Sequence, residues 1–137
     1  MDVDYNARII EEFRANGGKL GGPFEGAPIL LLTTTGARTG KARTSPVLYG
    51  RDGGRLLIFA SNGGRPAHPA WYHNLLANPK VTVEVGGDLF TALAVPLAGE
   101  ERDRLFSRQA EIMPNFGVYQ AATSRTIPVV ALDRQGD

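Results

Sequence analysis

The chain has 137 residues, of which 42% are apolar and 21% are charged, and its formal net charge is +1. This length predicts one domain over residues 1–137, and the balanced total charge argues against a nucleic-acid partner. The lack of cysteine excludes disulfides and thiolate chemistry, and no apolar run approaches the roughly 20 residues of a membrane-spanning helix, so we expect a cytoplasmic protein.

The first half of the chain predicts a helix followed by three strands. An amphipathic helix is expected at about residues 4–16. Near-continuous apolar residues over Ile29–Thr35 predict a strand that is buried on both faces. A second strand over Thr44–Tyr49 contains Pro46, which confines it to a sheet edge or a bulge. An Asp-Gly turn then leads into a third, apolar strand over Arg55–Ser61.

The second half predicts two helices and three strands. The helices are expected at Ala70–Ala77 and Gly99–Met113, the strands at Lys80–Val85, Leu89–Val95 and Ile127–Leu132. The segment Pro114–Arg125 has no clear pattern. Because short glycine turns imply antiparallel pairing, we expect an α+β protein with about six mainly antiparallel strands in a small, curved sheet or barrel, and helices outside it.

One loop has the composition of an anion site. The stretch Thr33–Arg43 follows the first predicted strand and contains two glycines, four threonines and three cations. Glycines allow several backbone N–H groups to point one way, and cations supply the opposite charge. Residues 26–83 contain seven cations and a single acid, which favours an anionic ligand. The alternative is a solvated hairpin turn whose basic residues keep it soluble.

The residues supply no catalytic constellation of their own. His68 and His73 are five residues apart and separated by Pro69, so their spacing does not place both on one helical face, and we expect no metal site. Such a protein usually relies on a cofactor, which the protein binds and orients. A second glycine-rich loop begins at Ser61, and Trp71 offers a flat apolar surface beyond it, although plain core packing also explains this tryptophan.

Three separated motifs resemble one family. They are TTTGARTGKARTSPVLYGRDGG, SNGGRPAHPAWYHNLLANPKVTVEV and YQAATSRTIPVVAL, and together they run from about Pro28 to Leu132. In this combination and order the chain resembles the deazaflavin-dependent nitroreductase family, which uses reduced coenzyme F420 and includes quinone reductases of actinobacteria. The resemblance implies a split β-barrel related to the pyridoxamine-phosphate-oxidase-like fold, and transfer of a hydride to a quinone, a nitroaromatic or a similar electron-poor acceptor.

The resemblance also implies a set of cofactor-binding positions. The cofactor's phosphate and oligoglutamate tail would bind at Ala37, Arg38, Thr39, Lys41 and Arg43. The deazaflavin ring would lie beside Thr44, Ser45, Pro46, Val47 and Leu48, with Phe59, Ala60, Ser61 and Asn62 at its edge. Its other side would be closed by Ala70, Trp71, Tyr72, His73 and Asn74.

The acceptor pocket departs from the pattern of members that reduce nitro compounds. Such members are rich in tyrosine where this chain has Leu48, Met113 and Phe116, with only Tyr119 retained, and they are basic where it has Ala37 and Asn62. The more apolar pocket favours a quinone ring. Ser61 and Tyr119 remain as the catalytic candidates, which would hydrogen-bond the acceptor or donate a proton to it.

Two other functions stay open at this point. The same barrel could bind flavin mononucleotide and act as a conventional flavoprotein, or it could carry a deazaflavin without turnover. The N-terminal helix could cap the site or make peripheral contact with a membrane, although packing against its own barrel is the simpler use. A homodimer is compatible with the sequence.

Overall fold

A computed structural model describes the backbone of residues 3–135 and the side chains of residues 5–135. Six strands form a closed, entirely antiparallel barrel in the spatial order β1-β2-β3-β6-β5-β4. The strands are β1 (Ile29–Thr35), β2 (Ala42–Asp52), β3 (Arg55–Phe59), β4 (Lys80–Val85), β5 (Asp88–Pro96) and β6 (Val129–Arg134). The helices are α1 (Val3–Ala15), α2 (Ala70–Ala77), α3 (Gly99–Ile112) and α4 (Asn115–Ala121). Single 3-10 turns cover Gly22–Phe24 and Asn62–Gly64.

The architecture confirms the predicted antiparallel barrel, and most elements begin or end within two residues of their expected bounds. The main difference is α4, which lies inside the segment 114–125 that showed no pattern. Its seven residues bury one side chain, Phe116, so a helical repeat of apolar residues is missing from the sequence.

Alternation along the strands divides the core into two layers. Leu56 and Ile58 of β3 point into the barrel, while Leu57 and Phe59 point outward to α3 and α4. Strand β6 follows the same rule, and at one end of the barrel α2 contributes the buried Leu75 to the inner layer. The period of two therefore explains why β3 and β6 are apolar on both faces.

Strand β2 changes neighbours along its length. Residues 42–48 pair with β1, and residues 49–52 pair with β3. Pro46 lies in the half that has β1 on one side and no second strand on the other, so its missing N–H leaves no ladder bond unmade. The expected edge position of Pro46 is confirmed within an otherwise closed barrel. The unpaired edge of this half of β2 opens toward the site described below.

Helix α1 packs against its own barrel. Ile9 and Phe13 are buried, and Arg14 forms two hydrogen bonds of 2.9 and 2.8 Å with the carboxylate of Glu84 on β4. After the helix, Gly18 has a φ of +91° and approaches Gly86 so closely that a Cβ would lie 2.6 Å from the Gly86 Cα, so only glycine fits there. The expected use of α1 as part of the barrel's packing is confirmed. Among residues 3–135, no helix combines the length and apolarity needed to cross a membrane.

Candidate functional site

Two adjoining cavities open at the end of the barrel that α2 covers. The larger, of about 1040 Å³, is here called the arginine cavity, and its lining includes Gly36, Ala37, Arg38, Thr39, Arg43, Thr44, Ser45, Ala70, His73 and Asn74. The smaller, of about 490 Å³, is called the aromatic cavity, and its lining includes Tyr5, Phe24, Pro46, Val47, Leu48, Phe59, Ser61, Asn62, Arg65 and Phe116. Asn6 and Trp71 line both. The two cavities therefore meet at Trp71.

The β1–β2 loop over residues 36–41 forms one wall of the arginine cavity and is held by its own backbone. The Gly36 N–H donates to the Lys41 carbonyl at 2.8 Å, and the Gly40 N–H donates to the Gly36 carbonyl at 2.9 Å. The Lys41 N–H donates to Thr39 Oγ1 at 3.2 Å. These bonds fix the loop in one conformation without a ligand.

Asn74 of α2 joins this loop to the strand before it. Its Oδ1 accepts from the Ala37 N–H at 3.0 Å, and its Nδ2 donates to Thr34 Oγ1 at 3.2 Å. The N–H groups of Arg38 and Thr39 donate to no residue in the described part of the chain. The loop therefore leaves two neighbouring N–H groups for an anion, those of Arg38 and Thr39. Its two glycine N–H groups do not add to them, because both are bonded within the loop.

Charge and hydroxyl groups complete the arginine cavity. Arg38 and Arg43 line it, whereas Lys41 does not. Three hydroxyl residues join them in the lining: Thr39, Thr44 and Ser45. Carboxylates and phosphates accept hydrogen bonds from cationic side chains, hydroxyl groups and free backbone N–H groups. This donor set fits an anionic tail, and Trp71 offers a flat surface for a ring where the two cavities meet, so the arginine cavity and this junction suit coenzyme F420.

The aromatic cavity is lined mainly by apolar side chains. Phe59 and Phe116, whose ring centroids are 5.2 Å apart, form its inner wall, and Leu48 also lines it. Ser61 offers a hydroxyl that bonds to no other described residue. Arg65 is the one charged side chain in the lining among residues 5–135. The lining thus offers an apolar guest the hydroxyls of Ser61 and Tyr5 and the guanidinium of Arg65.

The loop over residues 60–68 is held by Arg125, which the sequence analysis did not single out. The guanidinium donates to the carbonyls of Ala60 at 3.1 Å, Ser61 at 2.8 Å and Arg65 at 3.0 Å. It also lies 2.9 Å from His68 Nδ1. This role could not be predicted from the sequence, because Arg125 lies in a segment without a pattern and its hydrogen-bond partners are about sixty residues away in the chain.

The two histidines are closer than their spacing predicted. The rings of His68 and His73 are 5.7 Å apart, since Pro69 is the N-cap of α2 and His68 directly precedes it, while His73 lies in the first turn of the helix. Burial, followed by the charges of Arg125 and His73, lowers the pKa of His68. Burial raises the pKa of Tyr72, whose ring centroid lies 4.8 Å from that of His68.

Most of the positions predicted to bind the cofactor line one cavity or the other. The exceptions are Lys41, Ala60 and Tyr72. Of the positions assigned to the acceptor, Leu48 and Phe116 line the aromatic cavity, while Met113 and Tyr119 line neither. The ring of Tyr119 packs edge-on against Phe116 with centroids 6.0 Å apart, so of the two catalytic candidates only Ser61 lines a cavity.

Helix α1 supplies cavity residues that the sequence analysis missed. Tyr5, Asn6 and Ile9 line the aromatic cavity, and Phe24, which follows the helix, lies 6.2 Å from the Tyr5 ring. Ile10 and Asn6 reach the arginine cavity. The helix was expected to pack on the barrel, but no local pattern indicates which part of the barrel it covers.

Comparison with known proteins agrees with this geometry. The family model for F420H(2)-dependent quinone reductase matches residues 7–134. An F420H(2)-dependent quinone reductase of Mycobacterium tuberculosis is 46% identical over 127 residues, which cover 90% of this chain and 85% of that protein.

Solved structures give the same result. An F420-H2 dependent reductase is 41% identical, with a TM-score of 0.71 over 77% of this chain and 94% of that one. A protein described as a domain-swapped dimer is 38% identical, with a TM-score of 0.73 over 93% and 92% of the two chains. A Listeria innocua protein described as a candidate pyridoxamine 5′-phosphate oxidase shares the fold at 15% identity, with a TM-score of 0.58 over 80% and 85% of the chains.

Proposed function

This chain belongs to the F420H(2)-dependent quinone reductase family, and on that premise we propose that it reduces a quinone whose ring binds in the aromatic cavity. The chain is a coenzyme F420-dependent reductase. The observation that carries the proposal is the meeting of two unlike cavities at Trp71, one with two arginines and one with aromatic walls.

In this proposal the arginine cavity anchors the cofactor. Arg38 and Arg43 bind its anionic tail, and the N–H groups of Arg38 and Thr39 add hydrogen bonds. Pro46 and Trp71 flank the ring where the cavities meet. When bound, reduced coenzyme F420 supplies the hydride that the quinone receives.

The remaining chemistry belongs to residues of the aromatic cavity. Phe59 and Phe116 exclude water from the acceptor, which strengthens every polar contact there. Ser61 donates a hydrogen bond to the acceptor oxygen, and the Arg65 guanidinium stabilises the negative charge that develops on that oxygen. Tyr119 is assigned a packing role, because it lines neither cavity.

A nitroaromatic acceptor is the second candidate. Its nitro group needs several donors as charge develops on two oxygens. The described lining of the aromatic cavity offers the hydroxyls of Tyr5 and Ser61, the amides of Asn6 and Asn62, and the guanidinium of Arg65. The Asn62 Nδ2 already donates to the Ala67 carbonyl at 2.9 Å. We place quinones ahead of nitroaromatics as substrates, because the matching family is one of quinone reductases and the lining of this cavity is mainly apolar.

One titration separates this function from its alternatives. Purified protein is mixed with coenzyme F420 or with flavin mononucleotide, and the ring fluorescence of each is followed. Binding of the deazaflavin alone, followed by its oxidation on addition of menadione, is the expected result. Binding of neither would remove both enzyme functions, and tight binding without oxidation by menadione or a nitroaromatic would favour a carrier.

A pair of variants tests the assigned roles. Ser61→Ala should lower the turnover of menadione by about tenfold or more, since a hydrogen bond to developing charge contributes about 1.5–3 kcal/mol. Tyr119→Phe should leave turnover within about twofold of wild type, because Tyr119 lines neither cavity. The opposite ranking would return the proton-donor role to Tyr119.

We also propose that the protein forms a homodimer. One similar structure is described as a domain-swapped dimer, and the outer face of β5 exposes three apolar side chains, Leu89, Leu93 and Val95. Sedimentation equilibrium should give twice the monomer mass, and Leu93→Lys should shift it toward the monomer. Membrane contact is not part of the proposal, because Ile9 and Phe13 of α1 are buried against the barrel.

A further inference from the structure

Arg125 joins the segment before β6 to the loop that carries Ser61. Its three nitrogen atoms donate to three backbone carbonyls, those of Ala60, Ser61 and Arg65, and Nη1 also lies 2.9 Å from His68 Nδ1. A guanidinium has five N–H donors in a fixed fork, so one side chain can satisfy acceptors that point in several directions. A lysine ammonium at this position could not reproduce the set.

The guanidinium of Arg125 is bound by backbone carbonyl groups and not by a carboxylate. No carboxylate among the described residues forms an ion pair with Arg125, and burial lowers its pKa. A half-buried cation without a counter-ion is costly unless its donors are used. Here three carbonyls of the loop accept hydrogen bonds from the guanidinium. The loop conformation and the burial of the Arg125 charge therefore depend on each other.

We propose that Arg125 is a positioning residue, which fixes the loop 60–68 so that Ser61 faces the aromatic cavity, and that neutral His68 completes this arrangement. The inference rests on the proposed function only for the role of Ser61. Arg125 itself lines neither cavity, so it acts through the loop backbone.

The charge state of His68 follows from its partner. A guanidinium can only donate, so Nδ1 must accept and the ring proton must lie on Nε2. Protonation would place a proton on Nδ1 and end the bond. The other groups that face the ring belong to α2, namely His73 at 5.7 Å and Tyr72 at 4.8 Å between centroids, and neither supplies a negative charge at neutral pH.

The direction of the pH effect is therefore fixed. The pKa of His68 is lowered in the folded protein, so protons bind the loosened or unfolded chain more readily than the native one. The arrangement is complete above the ordinary pKa of histidine, about 6.5, and it weakens as the pH falls below that value.

Amide hydrogen exchange in the cofactor-free protein tests the role of Arg125. The N–H groups of Gly64 and Arg65 donate within the loop, to the carbonyls of Ser61 and Asn62. Arg125→Lys should raise their exchange rates about tenfold at pH 7.5, while the amides of the barrel strands stay unchanged. Unchanged exchange at these two amides would overturn the proposal.

Arg108 provides the matched control. Its guanidinium also donates to a backbone carbonyl, that of Arg51 at 2.6 Å, but it has no hydrogen bond to the loop 60–68 or to Arg125. Arg108→Lys should therefore leave the exchange of Gly64 and Arg65 within twofold of wild type. Equal effects of the two substitutions would indicate general loosening and would also overturn the proposal.

His68→Asn tests the pH dependence. An asparagine can offer Oδ1 to Arg125 near the position of Nδ1, and it does not titrate. After correction for intrinsic exchange, the protection of Gly64 and Arg65 should fall between pH 7.5 and 5.5 in the wild type and stay constant in His68→Asn. An equal fall in both proteins would assign the effect to another group. If Arg125→Lys fails to fold, this comparison still decides the question.

Kinetics connect the loop to the reaction. In Arg125→Lys the turnover of menadione should fall about tenfold, while the affinity for coenzyme F420 changes less than threefold, because Arg38 and Arg43 remain in place. A larger loss of cofactor affinity than of turnover would contradict the assignment. If the wild type binds no coenzyme F420, the proposed function fails, but the exchange experiments still test the arrangement of Arg125 and His68.

Discussion

The side-chain oxygen of Asn74 accepts the backbone N–H of Ala37 at 3.0 Å, across 37 positions of the sequence. The bond connects α2 to the β1–β2 loop, and the same amide donates to Thr34 Oγ1. Asn74 therefore positions the loop that bears Arg38, in addition to lining the arginine cavity itself.

The first prediction concerns this bond. Asn74→Ala should weaken the binding of coenzyme F420 by about five- to tenfold, because the hydrogen bond that holds Ala37 in the loop, worth about 1 kcal/mol, is lost together with the part of the cavity lining that Asn74 supplies. Fluorescence titration measures the change. Asn78→Ala is the control, since Asn78 also ties α2 to β1, through the Thr35 carbonyl at 3.4 Å, but does not reach the loop. Equal losses in both variants would contradict the role of Asn74.

The second prediction concerns the cations of the arginine cavity. Arg38→Gln and Arg43→Gln should each raise the dissociation constant of coenzyme F420 by about tenfold, which corresponds to 1.4 kcal/mol of binding free energy. The effect should shrink between 50 mM and 500 mM salt, because exposed charges are screened. Lys41→Gln should change the constant by less than threefold, since Lys41 does not line the cavity. A loss as large in Lys41→Gln would restore the broader assignment made from sequence.

The third prediction concerns the fit of the loop 60–68 against α4. Gly64 has a φ of +79°, and a Cβ there would lie 3.0 Å from the Tyr119 carbonyl oxygen. Gly64→Ala should lower the free energy of unfolding by roughly 3 kcal/mol, from backbone strain and crowding together. Gly63→Ala, with a φ of +65° and open space around it, should cost about 1–2 kcal/mol. Urea denaturation measures the free energy of unfolding of both variants. Similar losses in the two would show that α4 moves aside for the added methyl group at no energetic cost.

The fourth prediction is a pH dependence at the opposite end of the barrel. The hydrogen bond from Arg55, at 2.9 Å, and that from Arg108, at 3.3 Å, lower the pKa of the Asp52 carboxyl. The resulting stability is present above the ordinary pKa, which is 3.8, and is lost as the pH falls through the lower folded value. Asp52→Asn should reduce stability at pH 7 and show a smaller further loss between pH 5 and pH 3 than the wild type.

Urea denaturation at several pH values tests this. Asp133→Asn, at an exposed acid that forms no ion pair among the described residues, should follow the wild-type profile. An Asp52→Asn profile parallel to the wild type down to pH 3 would show that Asp52 does not carry the effect.

Sequence patterns predicted the elements whose signals are local. The apolar run at Ile29–Thr35 and the alternation at Lys80–Val85 both became strands with the expected bounds. Helix α4 was missed, because its one buried side chain, Phe116, is held by aromatic contacts with Phe59 and not by a helical repeat.

The site residues also divide into those with a local sequence signal and those without one. The residues of the two glycine-rich loops were found because composition and family motifs mark them. Tyr5 and Phe24 at the cavity rim were not found, since the path of α1 over the barrel depends on contacts such as Arg14 with Glu84. Arg125 was missed for a related reason, because its acceptors are backbone carbonyls, which leave no trace in the sequence.

Trp71 is the only tryptophan in the chain, and it lines both cavities. The intrinsic fluorescence of this protein therefore comes largely from one indole, at the point where the two cavities meet. A molecule that enters either side changes the surroundings of that indole, so occupancy can be followed without an attached dye. Trp71 is thus an intrinsic fluorescent probe for ligand binding in both cavities.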